Sequence, residues 1–130
     1  YYAMINAIAE ARMKATDVDT INAWGPGHRQ IDAAEALQLQ NVFGTHLKNM
    51  GATSIKGAIG NALGAAGAIQ VASAAIGLKL QNITPTVNWE VKDPSCPLNL
   101  FAKATPLPHR RTLVNAHGIS GSNSALILSQ

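Results

Sequence analysis

The run from Gly57 to Leu78 is 22 residues long and carries no charged side chain, although Lys56 and Lys79 bound it on either side. Its length meets the criterion of roughly 20 apolar residues for a membrane span. Its composition argues the other way. The run is mostly Gly and Ala, with Asn61, Gln70 and Ser73 inside it, and Ala gains far less from lipid than Leu or Ile does. The expectation is therefore no membrane partner, but a helix buried on several sides of a globular core. The small residues of GNALGAAGA would let its backbone approach a neighbouring sheet or helix closely. Such a helix needs an apolar layer to lie against, and 130 residues supply one ordinary domain.

The rest of the composition asks what covers that domain. Hydrophobic residues are 47% of the chain and charged residues only 13%, against about 25% in an average globular domain. A lone domain needs more ionic surface to stay monomeric, so part of this surface is expected to be covered by another chain or segment. The formal charge of +3 is spread from Arg12 to Arg111, which argues against a nucleic-acid partner. The one local cluster, His109-Arg110-Arg111, reads as a solvated loop or strand end. With Cys96 as the single cysteine, an internal disulfide framework and a thiolate-rich metal site are excluded, and a cytoplasmic location is expected. The opening Tyr1-Tyr2-Ala3-Met4 has no basic segment and no cleavage pattern, and reads as the interior of a longer polypeptide.

Periodicity gives a coarse order of elements. Residues 3–15 place Met4, Ile8 and Ala11 on one helical face. VDTINAWG is a β-prone run ended by Gly25-Pro26-Gly27, where Pro fixes φ and Gly accepts positive φ. Residues 31–43 form a second helix, with Asp32 and Glu35 near its start and Gly44 as its cap. ATSIK at 52–56 is β-prone. From Pro85 the helix signal fades into an extended connection. RTLVNAHG and NSALILSQ, joined by the Gly- and Ser-rich ISGS, form a hairpin. The alternation points to an α/β fold, with helices layered on a mixed sheet and a C-terminal antiparallel hairpin.

Generic chemical motifs are absent. GATSIKG lacks the second Gly before Lys and the Ser/Thr after it that a phosphate loop needs. Asp17 and Asp19 read as helix-capping acids, since no further oxygen ligands follow at calcium-loop spacing. His28, His46, His109 and His117 show no metal-ligand spacing, so no metal is expected. GISG is too short for a nucleophile elbow.

Four blocks, in order, carry a more specific message. VDTINAWGPGHRQIDAAEA is similar to V-D-x-(I/V)-N-A-H-G-T-x-T-x-x-x-D-x-x-E. TSIKGAIGNALGAAGAIQ is similar to S-x-K-x-x-x-G-H-x-x-G-A-A-G-A. NITPTVNWEVKDPSCPLNL resembles I-P-P-T-x-N-x-x-x-x-D-P-x-C, and VNAHGISGSNSALIL resembles S-N-S-F-G-F-G-G-x-N-A-x-(L/V). Together they resemble the C-terminal half of a β-ketoacyl-acyl-carrier-protein synthase of the thiolase superfamily, over nearly the whole chain. The resemblance implies a thiolase-like half-domain over residues 1–130, completed by an N-terminal half that holds the nucleophilic cysteine. It implies acyltransferase chemistry, the decarboxylative Claisen condensation of acyl and malonyl thioesters in fatty acid or polyketide synthesis, which this chain alone would not perform. No cofactor is implied. The implied partners are the N-terminal half or a partner synthase subunit, an acyl carrier protein, and a homo- or heterodimeric arrangement.

The same resemblance assigns roles residue by residue. The family's two histidines fall on Trp24 and Asn61. An Asn amide keeps two N–H donors that could face an oxyanion, whereas an indole offers one N–H, no acceptor and a larger body. Lys56 falls on the family's lysine, and Asp32 and Glu35 on the acids that orient it. A Lys in so apolar a setting needs a partner, and the expectation is a Lys56–Glu35 pair with Asp32 nearby. Cys96 falls on the D-P-x-C connection and is expected to be structural. The family's gating loop becomes His117, Gly118, Ile119, Ser120 and Gly121, lining the acyl side of the site. Asn115 and Asn123 flank it and are expected to bond backbone in the hairpin. Two further readings remain open: a non-catalytic partner resembling a chain-length factor, which shapes the acyl pocket of an active synthase, and a stand-alone acyl- or carrier-binding module.

Overall fold

The computed structural model describes residues 1–130. Helix α1 (Tyr2–Glu10) leads to strand β1 (Thr20–Asn22), helix α2 (Arg29–Phe43) and strand β2 (Gly51–Thr53). A single-turn helix α3 (Lys56–Ile59) and the longer α4 (Ala66–Leu80) follow. The chain closes with short strands β3 (Asn82–Ile83) and β4 (Thr105–Pro106), then β5 (Arg111–His117) and β6 (Asn123–Ser129). The main sheet has the order β2-β1-β5-β6. The first three strands run parallel, and β6 returns antiparallel to β5. The expected mixed sheet and hairpin are both present, with Arg111 opposite Ser129 and His117 opposite Asn123.

Period-2 alternation divides the sheet into two faces. Ile21 and Leu113 point into the main apolar cluster with Met4 and Ile8 of α1, Leu39 and Phe43 of α2, and Val18 and Met50. Each such fully buried side chain contributes roughly 1.5–3 kcal/mol. On the opposite face Thr20 and Thr112 share a hydroxyl hydrogen bond of 2.7 Å, and Asn22 meets Gln70 of α4. The layers are thus α1 and α2, then the sheet, then α4.

Several expectations about elements need correction. α1 ends at Glu10 rather than Ala15, because Arg12 takes φ +55°. That reversal lets Met13 turn back onto the core. The uncharged run is not one helix: Gly60 takes φ +73° and Leu63 φ +49°, which separates α3 from α4. Nor is α4 buried on several sides. By length and composition Leu63–Leu80 is apolar enough to cross a membrane, and only 33% of it is buried here. Ala66, Gln70, Ser73, Ala74, Gly77 and Leu78 form its inner face, while Ile76 and Leu80 are exposed. Asn61, Gly64 and Ala65 are also exposed, so within α4 close backbone approach is confined to Gly77, where an added Cβ would lie 3.0 Å from the Asn82 carbonyl.

The basic cluster is not uniformly solvated. His109 is buried, with Nδ1 2.6 Å from the Leu107 carbonyl. Asp17 does cap the short turn Ala15–Asp17, accepting from the Lys14 amide. Asp19 instead anchors the start of β5, accepting from the amides of Arg110 and Arg111 at 2.8 and 2.9 Å.

Candidate active site at the carboxyl ends of the parallel strands

Parallel strands bring their carboxyl ends to one edge, where open α/β sheets place their sites. Here that edge gathers Ala23 to Gly25 after β1, Ser54 to Lys56 after β2, and Asn115 to His117 at the end of β5. Gly25 permits the crowding, because a Cβ there would lie 2.8 Å from the Cβ of Ser54, whose hydroxyl donates to the Gly25 carbonyl.

Glu35 is the hub. It lies in the second turn of α2, only 5% exposed, and accepts from the amides of Trp24 and Gly25 at 2.9 and 2.8 Å and from Asn115 Nδ2 at 2.6 Å. His117 Nε2 stands 3.8 Å from Glu35 Oε1. Burial pushes the carboxyl pKa up, but His117 and these donors outweigh it and hold the group below the usual 4.5. Charge-assisted bonds of this kind favour the ionised form.

Lys56 is buried, but its ammonium does not meet Glu35 or Asp32. Nζ donates to Gln70 Oε1 at 3.2 Å and sits 5.8 Å from the centroid of the Trp24 ring. The expected Lys56–Glu35 pair is thus replaced by an amide contact, because Glu35 is already saturated by backbone and Asn115 donors. Desolvation lowers the lysine pKa, with the fields of Glu35 and Asp32 opposing it. Asp32, in the first turn of α2, has a buried Oδ1 with no hydrogen-bond partner, and burial followed by repulsion from Glu35 raises its pKa. Asp32, Glu35 and Lys56 border a cavity of about 310 Å³ beneath the loop 86–100. Cys96 borders it too, its thiol pushed up to about 11 mainly by burial. A thiol so protonated is a poor nucleophile, in keeping with a structural role.

A second cavity, of about 360 Å³, is lined by Trp24, Asn61, Leu63, Gly64, His117, Gly118, Ile119 and Ser120. Trp24 and Asn61 therefore share one space with the loop 117–120. Asn61 is exposed, and its Oδ1 accepts from the Leu63 amide at 3.2 Å, a bond that does not use its Nδ2 protons. Gly121 stands outside the lining, where its φ of +85° turns the hairpin. The Trp24 and His117 rings meet edge to face, with centroids 5.1 Å apart.

Comparison with known proteins decides the family. The family model of the beta-ketoacyl synthase C-terminal domain matches residues 1–90. The chain belongs to the β-ketoacyl synthase C-terminal domain family. It is 37% identical over 125 residues to a Streptomyces cyaneus protein named as a polyketide beta-ketoacyl synthase 1, covering 95% of this chain and 29% of that protein. It is 30% identical over 128 residues to nodulation protein E of Rhizobium leguminosarum bv. trifolii, covering 98% of this chain and 32% of the relative. The chain therefore spans about a third of the length of these relatives. Among solved structures, a beta-ketoacyl synthase from Burkholderia phymatum superposes with a TM-score of 0.92 at 28% identity, covering 99% of this chain and 31% of the other. The ishigamide ketosynthase/chain length factor gives 0.91 at 27% identity, covering 97% and 31%. The thiolase-like fold is thereby established for this synthase domain.

Sequence reasoning missed one residue of the site and gave another the wrong partner. Gln70, wholly buried, donates from Nε2 to the carbonyls of Ala23 at 2.9 Å, Asn115 at 3.0 Å and Asn22 at 3.3 Å. It clamps β1 to β5 just behind Trp24. Its signal was an amide inside an uncharged helix, at the place where a lysine needs a partner. Asn115 bonds the Glu35 carboxylate rather than hairpin backbone. The Asn123 amide does donate to the Gly121 carbonyl at 2.9 Å, while its Oδ1 takes His117 Nδ1.

Proposed function

We propose that this chain, residues 1–130, is the C-terminal part of a β-ketoacyl-acyl-carrier-protein synthase-like protein. The protein condenses acyl and malonyl thioesters with loss of carbon dioxide, and its nucleophilic cysteine lies in the remaining part. Trp24 and Asn61 stand where the family's patterns carry histidine. One observation carries the reading: Trp24, Asn61 and the His117–Ser120 loop line a single cavity at the carboxyl ends of β1 and β5. Asn61 presents amide N–H groups to a developing oxyanion, and the loss of one such donor typically costs about 10² to 10³ in rate. Lys56, Gln70, Glu35 and Asp32 hold the frame of the site in place. The partner that delivers the malonyl group is an acyl carrier protein, and the setting is the cytoplasm.

Trp24 favours a second reading. Its side chain is buried, with the residue 8% exposed, and it fills space that an imidazole would leave to the malonyl group. A chain-length-factor-like subunit, which shapes the pocket of an active synthase without condensing thioesters itself, has that character. Incubating the intact protein with malonyl-carrier protein and following carbon dioxide release and acylation by mass spectrometry separates the two. Release together with a cysteine-bound acyl group supports the synthase. Neither signal, combined with stoichiometric co-purification of a second, acylated synthase, supports the partner subunit.

A further inference from the structure

We propose that Trp24 is a specificity-determining wall: its indole keeps the Lys56 ammonium out of the cavity it shares with Asn61 and His117, so that this cavity selects uncharged acyl groups over carboxylated ones. The proposal rests on the reading that this cavity receives acyl thioesters, and it names the acyl class the cavity takes.

Two cavities lie back to back at this edge of the sheet. The one of about 360 Å³ holds Trp24, Asn61 and His117, and the one of about 310 Å³ holds Lys56, Glu35 and Asp32, with no lining residue in common. Two contacts cross between them. Lys56 Nζ lies 5.8 Å from the centroid of the Trp24 ring, and Glu35 Oε1 lies 3.8 Å from His117 Nε2. Each contact joins a residue of one cavity to a residue of the other, so side chains alone form the partition. Trp24 is its larger part. The residue is 8% exposed, and its ring meets that of His117 edge to face with centroids 5.1 Å apart.

The partition divides charge unequally. No Lys, Arg, Asp or Glu lines the larger cavity or the adjoining one of about 260 Å³, which shares Trp24, Leu63 and His117 with it. His117 has both ring nitrogens engaged, Nε2 with Asn115 Nδ2 at 3.0 Å and Nδ1 with Asn123 Oδ1. On the far side of the indole, Lys56 is 6% exposed and donates to a single acceptor, Gln70 Oε1 at 3.2 Å. No carboxylate forms an ion pair with it. An ammonium matched by one amide and one ring face keeps much of its attraction for an anion. The indole bars that anion. A carboxylate carried into the larger cavity on an acyl group loses water and gains no cation, which is costly, whereas a methyl group there loses nothing. A malonyl carboxylate enters on the same terms. The synthase reading accommodates this, because a carboxylate without a counter-charge is not stabilised against loss of carbon dioxide.

The test uses the intact protein with butyryl- and succinyl-pantetheine analogues in which an amide replaces the thioester, so that the acyl groups differ only by a methyl against a carboxylate. Dissociation constants are measured by calorimetry at neutral pH. The wild-type protein is expected to bind the butyryl analogue more tightly. Trp24→Ala should shift the ratio toward the succinyl analogue by about tenfold or more, as for a hydrogen bond to a charged group, and Lys56→Met in that background should cancel the shift. Lys56→Met alone should leave the wild-type ratio unchanged. Trp24→Leu repeats the measurement if the Ala variant does not fold. A wild-type preference for the succinyl analogue, an unchanged ratio in the Trp24 variants, or a shift that survives Lys56→Met overturns the proposal and leaves the synthase reading standing. Failure of the wild-type protein and every variant to bind either analogue removes both.

Discussion

A carboxylate with no ammonium in contact holds the site together, and its pH dependence follows from its neighbours. Glu35 takes three donors, two of them backbone amides. Glu35→Gln turns an amide NH₂ toward at least one of these N–H groups and leaves a buried donor unmatched, at a cost of about 1–3 kcal/mol, readable by urea unfolding. Because the folded-state pKa of Glu35 lies below 4.5, its contribution is present above the unfolded value and is lost as pH falls through the folded one. His117 is raised above 6.5, so its contribution is complete below 6.5 and is lost as pH climbs through the raised value. Melting temperature should therefore be highest in mildly acidic solution and fall on both sides, and Glu35→Gln should flatten both limbs. Gln70 gives a second test at this scale. Its Nε2 faces three carbonyls, so Gln70→Glu, although it offers Lys56 a carboxylate, sets oxygen against oxygen. The expected outcome is a loss of about 2–4 kcal/mol in the same measurement; a gain would show that the Lys56 charge outweighs the carbonyl cluster. Lys56, Glu35 and Asp32 were legible as one group because their spacing follows the family's blocks. Which of them touch was not, since pairing depends on how β5 brings Asn115 to Glu35 from 80 residues away.

Elements show where small residues matter and where they do not. Gly57, in α3, lies so close to the Val87 carbonyl that a Cβ would overlap it, and Asn88 Nδ2 donates to the Gly57 carbonyl at 3.0 Å. This contact seats the loop 84–100 as the roof of the Lys56 cavity. Gly67, in the first turn of α4, has nothing nearer than the Ala116 Cβ at 4.0 Å. Gly57→Ala should therefore cost about 1–3 kcal/mol and loosen the loop, seen as faster amide exchange at Val87 to Trp89. Gly67→Ala should be neutral or stabilise by up to about 1 kcal/mol. Equal costs at the two positions would contradict this division. The sequence alone could not separate the two glycines, because both lie in one uncharged run and the break at Gly60 and Leu63 is a tertiary matter. By contrast, β1, α2 and the β5–β6 hairpin were legible, since each has its own period and its own punctuation: Gly25-Pro26-Gly27, Gly44 and ISGS.

For the whole molecule, the low charge and the exposed apolar side chains belong to one account. Tyr2 at 78%, Leu63 at 64%, Leu80 at 60% and Ile76 at 55% exposure are large apolar groups facing outward, and β6 forms an unpaired edge of the main sheet. Ile76 and Leu80 are four apart on α4 and so make one patch. Patches rimmed by polar residues mark contact surfaces, and an open strand edge invites pairing with another chain. In relatives about three times as long, the remaining chain is available to cover such surfaces. Expressed by itself, this chain should self-associate as its concentration rises and should bind a fluorescent apolar dye. Replacing Ile76 and Leu80 together with Lys should raise the monomer fraction on size exclusion without lowering the melting temperature, because neither side chain contributes to the core. If the chain is the C-terminal part of a longer synthase, as proposed, co-expression with the remaining part should suppress dye binding just as well. If the unmodified chain stays monomeric and dye-free at high concentration, the apolar surface is not an interface, and the expectation that another segment completes this domain loses its physical basis.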